Sequence, residues 1–171
     1  MGIETGSKVR RIVTTHNDLK SGLLLEDEQE LIAGFASNAR TIWQHEKYPA
    51  ELATKDAAEG KVHIYASGSL IRVVDFPANS QGHNHRTLSL DYGIILDGEM
   101  ELVLEDGSRS IARAGDIVVQ QATIHQWNNL SDRAARVVFV LMPSVAPEKD
   151  GRELGEEGYP ENIRPTWRKD W

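Results

Sequence analysis

The chain has 171 residues and a mass of 19.1 kDa, carries a formal charge of −7 with a pI near 5.4, and contains no cysteine. That length suits one domain with a sizeable core, and the missing thiols exclude disulfide frameworks, zinc–thiolate sites, iron–sulfur clusters and a cysteine nucleophile. The acidic balance argues against nucleic acid as a partner, and the sequence offers neither an apolar leader nor a membrane-length apolar run, so a soluble, cytoplasmic protein with a small-molecule partner is expected.

Residues 9–14 and 22–25 read as edge strands and 40–44 as another, while Leu31, Ile32 and Phe35 at helical spacing predict one short helix within 28–39. The alanine-rich, charged stretch 49–59 predicts a helical turn or an exposed loop. From residue 69 the pattern is one of strands and turns. The run SLIRVVDF at 69–76 is compactly apolar, and 91–104 reads as two strands joined at Asp97-Gly98, a pair typical of a type I′ hairpin. With those two residues as the loop, Leu96 faces Glu99, Ile95 faces Met100, Gly93 faces Leu102 and Asp91 faces Leu104. One face then carries Asp91, Gly93, Ile95, Met100, Leu102 and Leu104, and the other Tyr92, Ile94, Leu96, Glu99, Glu101 and Val103.

Two consequences follow from that register. Asp91 lands on the apolar side, where an ionised carboxylate is costly unless it is paired or bound to metal. On the other side, Tyr92, Ile94, Leu96 and Val103 need cover from the N-terminal strands or from a second subunit, the second of which would make a homodimer. A second Asp-Gly pair at 106–107 leads into 108–112, and strands follow at 117–120, 125–128 and 136–142. Short strands at this spacing indicate an all-β sandwich or barrel. Beyond Pro143 the composition turns to charge, glycine and proline and includes Tyr159, Trp167 and Trp171. That segment is either a partly disordered tail or an arm whose aromatics pack on the barrel or on a neighbour. The expected organisation is an N-terminal extension over 1–60, a barrel over 61–143 and a C-terminal tail or arm over 144–171.

The chemistry concentrates in three histidines. Residues two apart in an extended segment project to one face, so His83 and His85 sit side by side, and His125 arriving on a separate strand completes a facial set. Neutral imidazole suits zinc, iron, copper and nickel, and a site with three or four protein ligands keeps positions open for substrate. Asp91 is the candidate fourth ligand, or alternatively holds an imidazole N–H from outside the ligand set. Trp127, two residues after His125, lines the pocket beside the metal, with Met100, Leu102 and Ile95 as packing residues that form its apolar wall. Arg86 and Tyr92 are candidates for contact with an acidic substrate, against their reading as ordinary outer residues. His16, His45 and His63 read as structural. The chain has no Gly-x-Ser-x-Gly elbow, no Walker loop, no Gly-x-Gly-x-x-Gly and no His-Glu-x-x-His.

Over about residues 70–141 the sequence resembles a single-domain cupin. His83-Asn84-His85 matches the family's paired histidines, Asp91 stands before Gly98 where the family places its ligand Glu, and Gly115-Asp116 opens a second motif that His125 closes. The resemblance implies an all-β double-stranded β-helix, or jelly-roll barrel, with extra N-terminal strands, a short helix and a C-terminal arm. The wording around 85–99 also resembles small cupins from secondary-metabolite gene sets, some of them oxidoreductases. Three departures stand out. Asp91 is one residue further from His85 than usual and one methylene shorter than Glu, Gln120 and Ala122 replace the family's Pro and Gly, and the loop before Gln120 is one residue short. A glutamine at 120 puts an amide beside the pocket if its side chain faces inward.

Three functions remain open at this point. The first is a metal-dependent enzyme on a small oxygenated or aromatic metabolite, with one divalent ion: Fe(II), which supports oxidation or oxygenation, or zinc, nickel or manganese, which favour isomerisation, cyclisation, dehydration or decarboxylation. The second is a metal-free isomerase or dehydratase with a histidine base. The third is a binding module without turnover.

Overall fold

In a computed structural model the chain is described over residues 8–17, 20–34, 36–58 and 68–159. The expected all-β class holds. The strands are β1 (Val9–Asn17), β2 (Lys20–Gln29), β3 (Ile32–Ala33), β4 (Asn38–His45), β5 (Ser69–Phe76), β6 (Ser80–Gln81) and β7 (Ser89–Asp97). They continue with β8 (Glu99–Leu104), β9 (Arg109–Arg113), β10 (Ile117–Gln121), β11 (His125–Asn129), β12 (Ala135–Pro143), β13 (Glu148–Lys149) and β14 (Arg152–Glu153).

Two sheets face each other to form the barrel. One has six strands in the order β10-β7-β12-β5-β4-β3, the other four in the order β6-β11-β8-β9. The core between them gathers Val74, Phe76, Ile95, Met100, Trp127, Ala135 and Val137, with Leu102 and Phe139 packed against it. β7 contributes alternate residues to it, the half-buried pattern of a sheet with one wet face.

The Asp97-Gly98 hairpin is corrected. β7 and β8 are consecutive but belong to opposite sheets, so they do not pair, and β7 instead lies between β10 and β12. Gly98 is the corner, with φ of 77°, where an added Cβ would lie 2.7 Å from the Ala135 Cβ. The physical reason is burial. Ile95 and Met100 both carry apolar side chains that a flat hairpin would leave on one exposed face, and sending the strands to opposing sheets encloses both. The face assignment survives the correction, because the inward set of Asp91, Gly93, Ile95 and Met100 is buried while Tyr92 and Leu96 are exposed.

The predicted helix within 28–39 is also overturned. Residues 28 and 29 still pair with Arg10 and Val9, β3 follows at once, and β4 begins at Asn38; Phe35 lies outside the described residues. Pairing along β1 commits the segment to strand, which outweighs an apolar spacing of only three residues. The β1–β2 hairpin forms its own sheet, pinned by the buried Arg11. That guanidinium donates to Asp27, to Asp56 and to the Ile42 carbonyl of β4. Among the described residues no helix is long and apolar enough to cross a membrane.

Candidate active site

β11 supplies His125, and the segment after β6 runs antiparallel beside it. His85 and His125 exchange backbone hydrogen bonds of 3.0 Å, and the Gly82 N–H donates to the Trp127 carbonyl at 3.0 Å. Gly82 is required for that approach, since a Cβ there would sit 2.6 Å from the same carbonyl oxygen. The result is a row of three imidazoles, with ring centroids 4.2 Å apart for His83 and His85 and 4.5 Å for His85 and His125. The three predicted histidines are thus brought together.

Their tautomers follow from their partners. His85 Nδ1 lies 3.1 Å from the His83 carbonyl and His125 Nδ1 lies 2.9 Å from the Thr123 carbonyl. A carbonyl can only accept, so each Nδ1 carries the proton and each Nε2 keeps its lone pair. Burial holds the rings neutral, pushing His85 down to about 3 and His125 to about 4, with His83 also lowered.

Asp91 sits on β7 at the cross-strand position of Gln120. Trp127 Nε1 donates to Gln120 Oε1 at 3.2 Å, and Gln120 Nε2 donates to Asp91 Oδ2 at 2.9 Å. Because an indole can only donate, the chain fixes which way the glutamine amide points. Gln120 therefore faces inward, as an amide beside the pocket. Burial pushes the Asp91 carboxyl up to about 6, opposed by the Ser89 hydroxyl and the Gln120 amide, and its Oδ1 is enclosed without a regular hydrogen bond. Trp127 also packs edge-on against Phe139, at 5.5 Å and 82°, and Met100 and Ile95 are enclosed in the core at 0% and 1% exposure.

The C-terminal arm closes the site, a contact the sequence left as one of two options. Backbone hydrogen bonds join Arg86 and Glu157, and the buried Arg86 guanidinium donates to the Gly155 carbonyl and the Glu157 carboxylate at 3.2 Å each. Arg86 thus holds the arm. Tyr159 presents its edge to His85 at 4.9 Å and to His83 at 5.9 Å, and its hydroxyl hydrogen-bonds Thr87. Burial pushes the Tyr159 phenol up, so it stays protonated. Trp167, Trp171 and His63 lie outside the described residues; His16 is exposed, and His45 packs edge-on against Tyr48.

Gly158 makes the arm testable. Its φ is 81°, and a Cβ there would meet the Asn84 carbonyl oxygen at 2.1 Å. Gly158→Ala is expected to detach the arm, raising tryptic cleavage at Lys149 and Arg152 roughly tenfold while the barrel keeps its melting temperature within about 2 °C.

The histidines also set a pH dependence. Folding holds His85 and His125 neutral, so below the ordinary histidine value near 6.5 the unfolded chain binds more protons and stability is lost as pH falls toward about 3 to 4. Asp91 acts oppositely, since its raised carboxyl adds stability present below about 3.8 and lost as pH rises through about 6. Two imidazoles outweigh one carboxyl. The metal-free protein should lose roughly 3–8 °C in melting temperature between pH 7 and 5, about half of it in His125→Gln, read by differential scanning fluorimetry.

Whether these residues suit a metal ion divides into chemistry and placement. The donor chemistry fits, with neutral imidazoles, free Nε2 lone pairs and an enclosed carboxylate oxygen. As they stand, no group of three or more His, Asp or Glu side chains among the described residues is placed to hold an ion, and Asp91 is engaged with Gln120.

A cupin-domain family pattern matches residues 59–141. The chain is 34% identical over 162 residues, covering 85% of itself and 83% of its relative, to the cupin-domain-containing oxidoreductase virC of Hypocrea virens. This chain is a cupin. It is also 45% identical over 89 residues to the phomopsin biosynthesis cluster protein C' of Diaporthe leptostromiformis, spanning about half of that relative (47%) and 52% of itself. A Cupin 2 conserved barrel protein from Salinispora arenicola superposes with a TM-score of 0.48 at 17% identity, over 66% of the present cupin and 80% of that chain. The signal that located the site was the cupin histidine motif. Tyr159 and Thr87 carried no such signal, because their role depends on an arm returning from residues distant in sequence.

Proposed function

We propose that this cupin is a metal-dependent oxidoreductase acting on a small oxygenated or aromatic metabolite of secondary metabolism. The observation that carries the reading is the row of three neutral imidazoles in a largely apolar barrel, with Nε2 lone pairs on His85 and His125. His83, His85 and His125 would hold one divalent ion, Fe(II) in preference to zinc, nickel or manganese, with Asp91 as candidate fourth ligand. Bound there, the ion supplies Lewis acidity and, for iron, redox chemistry. The chain's own residues then exclude water and position substrate, with Tyr159 covering the histidines and Gln120 holding Asp91 in place. Relatives named as oxidoreductases and as biosynthesis-cluster proteins support the assignment. A second copy of the chain is the proposed partner, through the exposed apolar strip of Tyr92, Leu96, Ile117 and Val119.

The test is metal content of tag-free protein by inductively coupled plasma mass spectrometry, followed by oxygen uptake with candidate phenols and quinones under air. Near-stoichiometric iron with substrate-dependent oxygen uptake is the expected result. Protein that carries no metal and takes none up on titration would remove the reading. A second reading, metal-free acid–base catalysis, is favoured by one observation: a buried Asp91 raised to about 6 in a barrel whose histidines are not placed as a ligand set. Turnover by protein freed of metal would establish it.

A further inference from the structure

Arg72 is a half-buried cation with no anion among the described residues. It lies on β5 between Leu70 and Val74, on the face whose neighbours Val74 and Phe76 belong to the barrel core. Its guanidinium makes no hydrogen bond or ion pair among the described residues, and its Nε is fully enclosed. The deeply buried arginines are all engaged, Arg11 with Asp27 and Asp56, Arg86 with Glu157, and Arg136 with Asp75. Arg136 shows what such a guanidinium does when satisfied: Nε and Nη2 fork onto the two oxygens of Asp75 at 2.6 and 2.7 Å. Arg72 has the same fork with no partner in it among the described residues.

Its surroundings are also unsatisfied. Thr41 is the cross-strand partner of Arg72 and Gln44 that of Leu70, so both share the inward face. Thr41 and Gln44 are 6% and 8% exposed, yet Thr41 Oγ1 and Gln44 Oε1 have no hydrogen-bond partner. On the other side, Phe139 pairs with Arg72 and leans toward β7, its Cε1 lying 3.2 Å from where a Gly93 Cβ would be. The Tyr159 phenol feels the charges of both Arg72 and Asp91, while its ring edge meets His85. Asp91 does not pair with the arginine among the described residues; its carboxyl is held by Gln120.

Buried polar groups are satisfied almost without exception, and a charge left unpaired costs far more than a neutral group. The enclosed Arg72 Nε and the Thr41 hydroxyl on the paired rung therefore mark where a ligand sits. We propose that Arg72 is the anchor for a carboxylate on the small molecule bound in the barrel, with the Thr41 hydroxyl donating a further hydrogen bond to it. The substrate is accordingly a carboxylic acid, held by its acid group on β5 with its remainder directed toward the histidines. The inference rests on the barrel interior being the substrate site, and it is independent of the metal.

The test uses the full chain and benzoate as probe. Sodium benzoate at about 10 mM should raise the wild-type melting temperature by about 3–5 °C over sodium chloride or sulfate at matched ionic strength, and benzamide, isosteric but uncharged, by less than a third of that. Arg72→Met should lose the benzoate shift while its ligand-free melting temperature stays equal or rises, as expected when an unpaired buried charge is removed. Thr41→Val, a milder variant, should weaken benzoate binding several-fold by calorimetry without loss of stability. Equal shifts from benzoate and benzamide or from sulfate, no shift, or a preserved benzoate preference in Arg72→Met would overturn the proposal. So would a melting temperature lowered by more than about 5 °C in ligand-free Arg72→Met, which would make Arg72 structural. Metal content of the same samples separates the two readings. A benzoate shift in protein that takes up no metal keeps the anchor and removes the oxidoreductase, and metal without a benzoate shift does the reverse.

Discussion

His125→Ala is expected to reduce bound metal from near one ion per chain to less than about a tenth, and to lower turnover by at least about a hundredfold. His125 is the residue to change because it ties two levels of the site together. Its backbone exchanges two hydrogen bonds with His85, which fixes the spacing of the row, and its Nδ1–H is held by the Thr123 carbonyl, which aims Nε2. The substitution keeps the backbone bridge and removes only the donor, so the fold should lose no more than about 1–2 kcal/mol. Metal content and turnover falling together, with a melting transition that stays cooperative, is the result expected of a metal-dependent enzyme. Turnover lost in a wild type that carries no metal would instead assign His125 to acid–base chemistry.

What the sequence disclosed about this site, and what it concealed, follows from how far each interaction reaches along the chain. The paired histidines were legible because a two-residue period is local, and His83 and His85 do project together. The strand at β5 was legible over its full length, since SLIRVVDF has no residue that breaks a strand. Inward and outward faces were legible even where the pairing was not: Asp91, Ile95 and Met100 point into the barrel although β7 and β8 occupy different sheets. Which sheet a strand joins is decided by partners far away in sequence, such as β11 for β8 and β12 for β7, and no local pattern encodes them. Gln120 was visible as a departure from the cupin pattern, but its value lies in Trp127 and Asp91 on either side of it, one on the opposite sheet. Arg72 drew no attention because a lone arginine in an apolar strand reads as an outer residue; only the pairing of Thr41, Arg72 and Phe139 across three strands places it inside. Within 28–39 the local signal misled, since three apolar residues at helical spacing cannot compete with a hairpin already paired to Gln29.

Asp75→Ala is expected to destabilise the protein by about 3–5 kcal/mol, a fall in melting temperature of roughly 8–15 °C by calorimetry. Asp75 is fully buried on β5, and Arg136 stands directly opposite on β12, its guanidinium fork taking both carboxylate oxygens. Desolvating two charges is expensive, and their attraction offsets it only while both are present. Removing the carboxylate leaves Arg136 without its bidentate partner between β5 and β7, where its other cross-strand neighbour is Asp97. The arithmetic then makes a sharper expectation. The double variant Asp75→Leu with Arg136→Met removes both charges and should recover most of the lost stability, giving a coupling energy of at least about 2 kcal/mol in the double-mutant cycle. The pair lies on the outward face of strands whose inward face carries Arg72, so the two arginines differ in one respect that matters. Arg136 loses stability when its carboxylate is taken away, whereas Arg72, which has none among the described residues, should lose nothing on replacement by Met. A cycle in which both positions behave alike would mean that the inward face of β5 is held by ordinary packing, and the case for a ligand carboxylate there would fall.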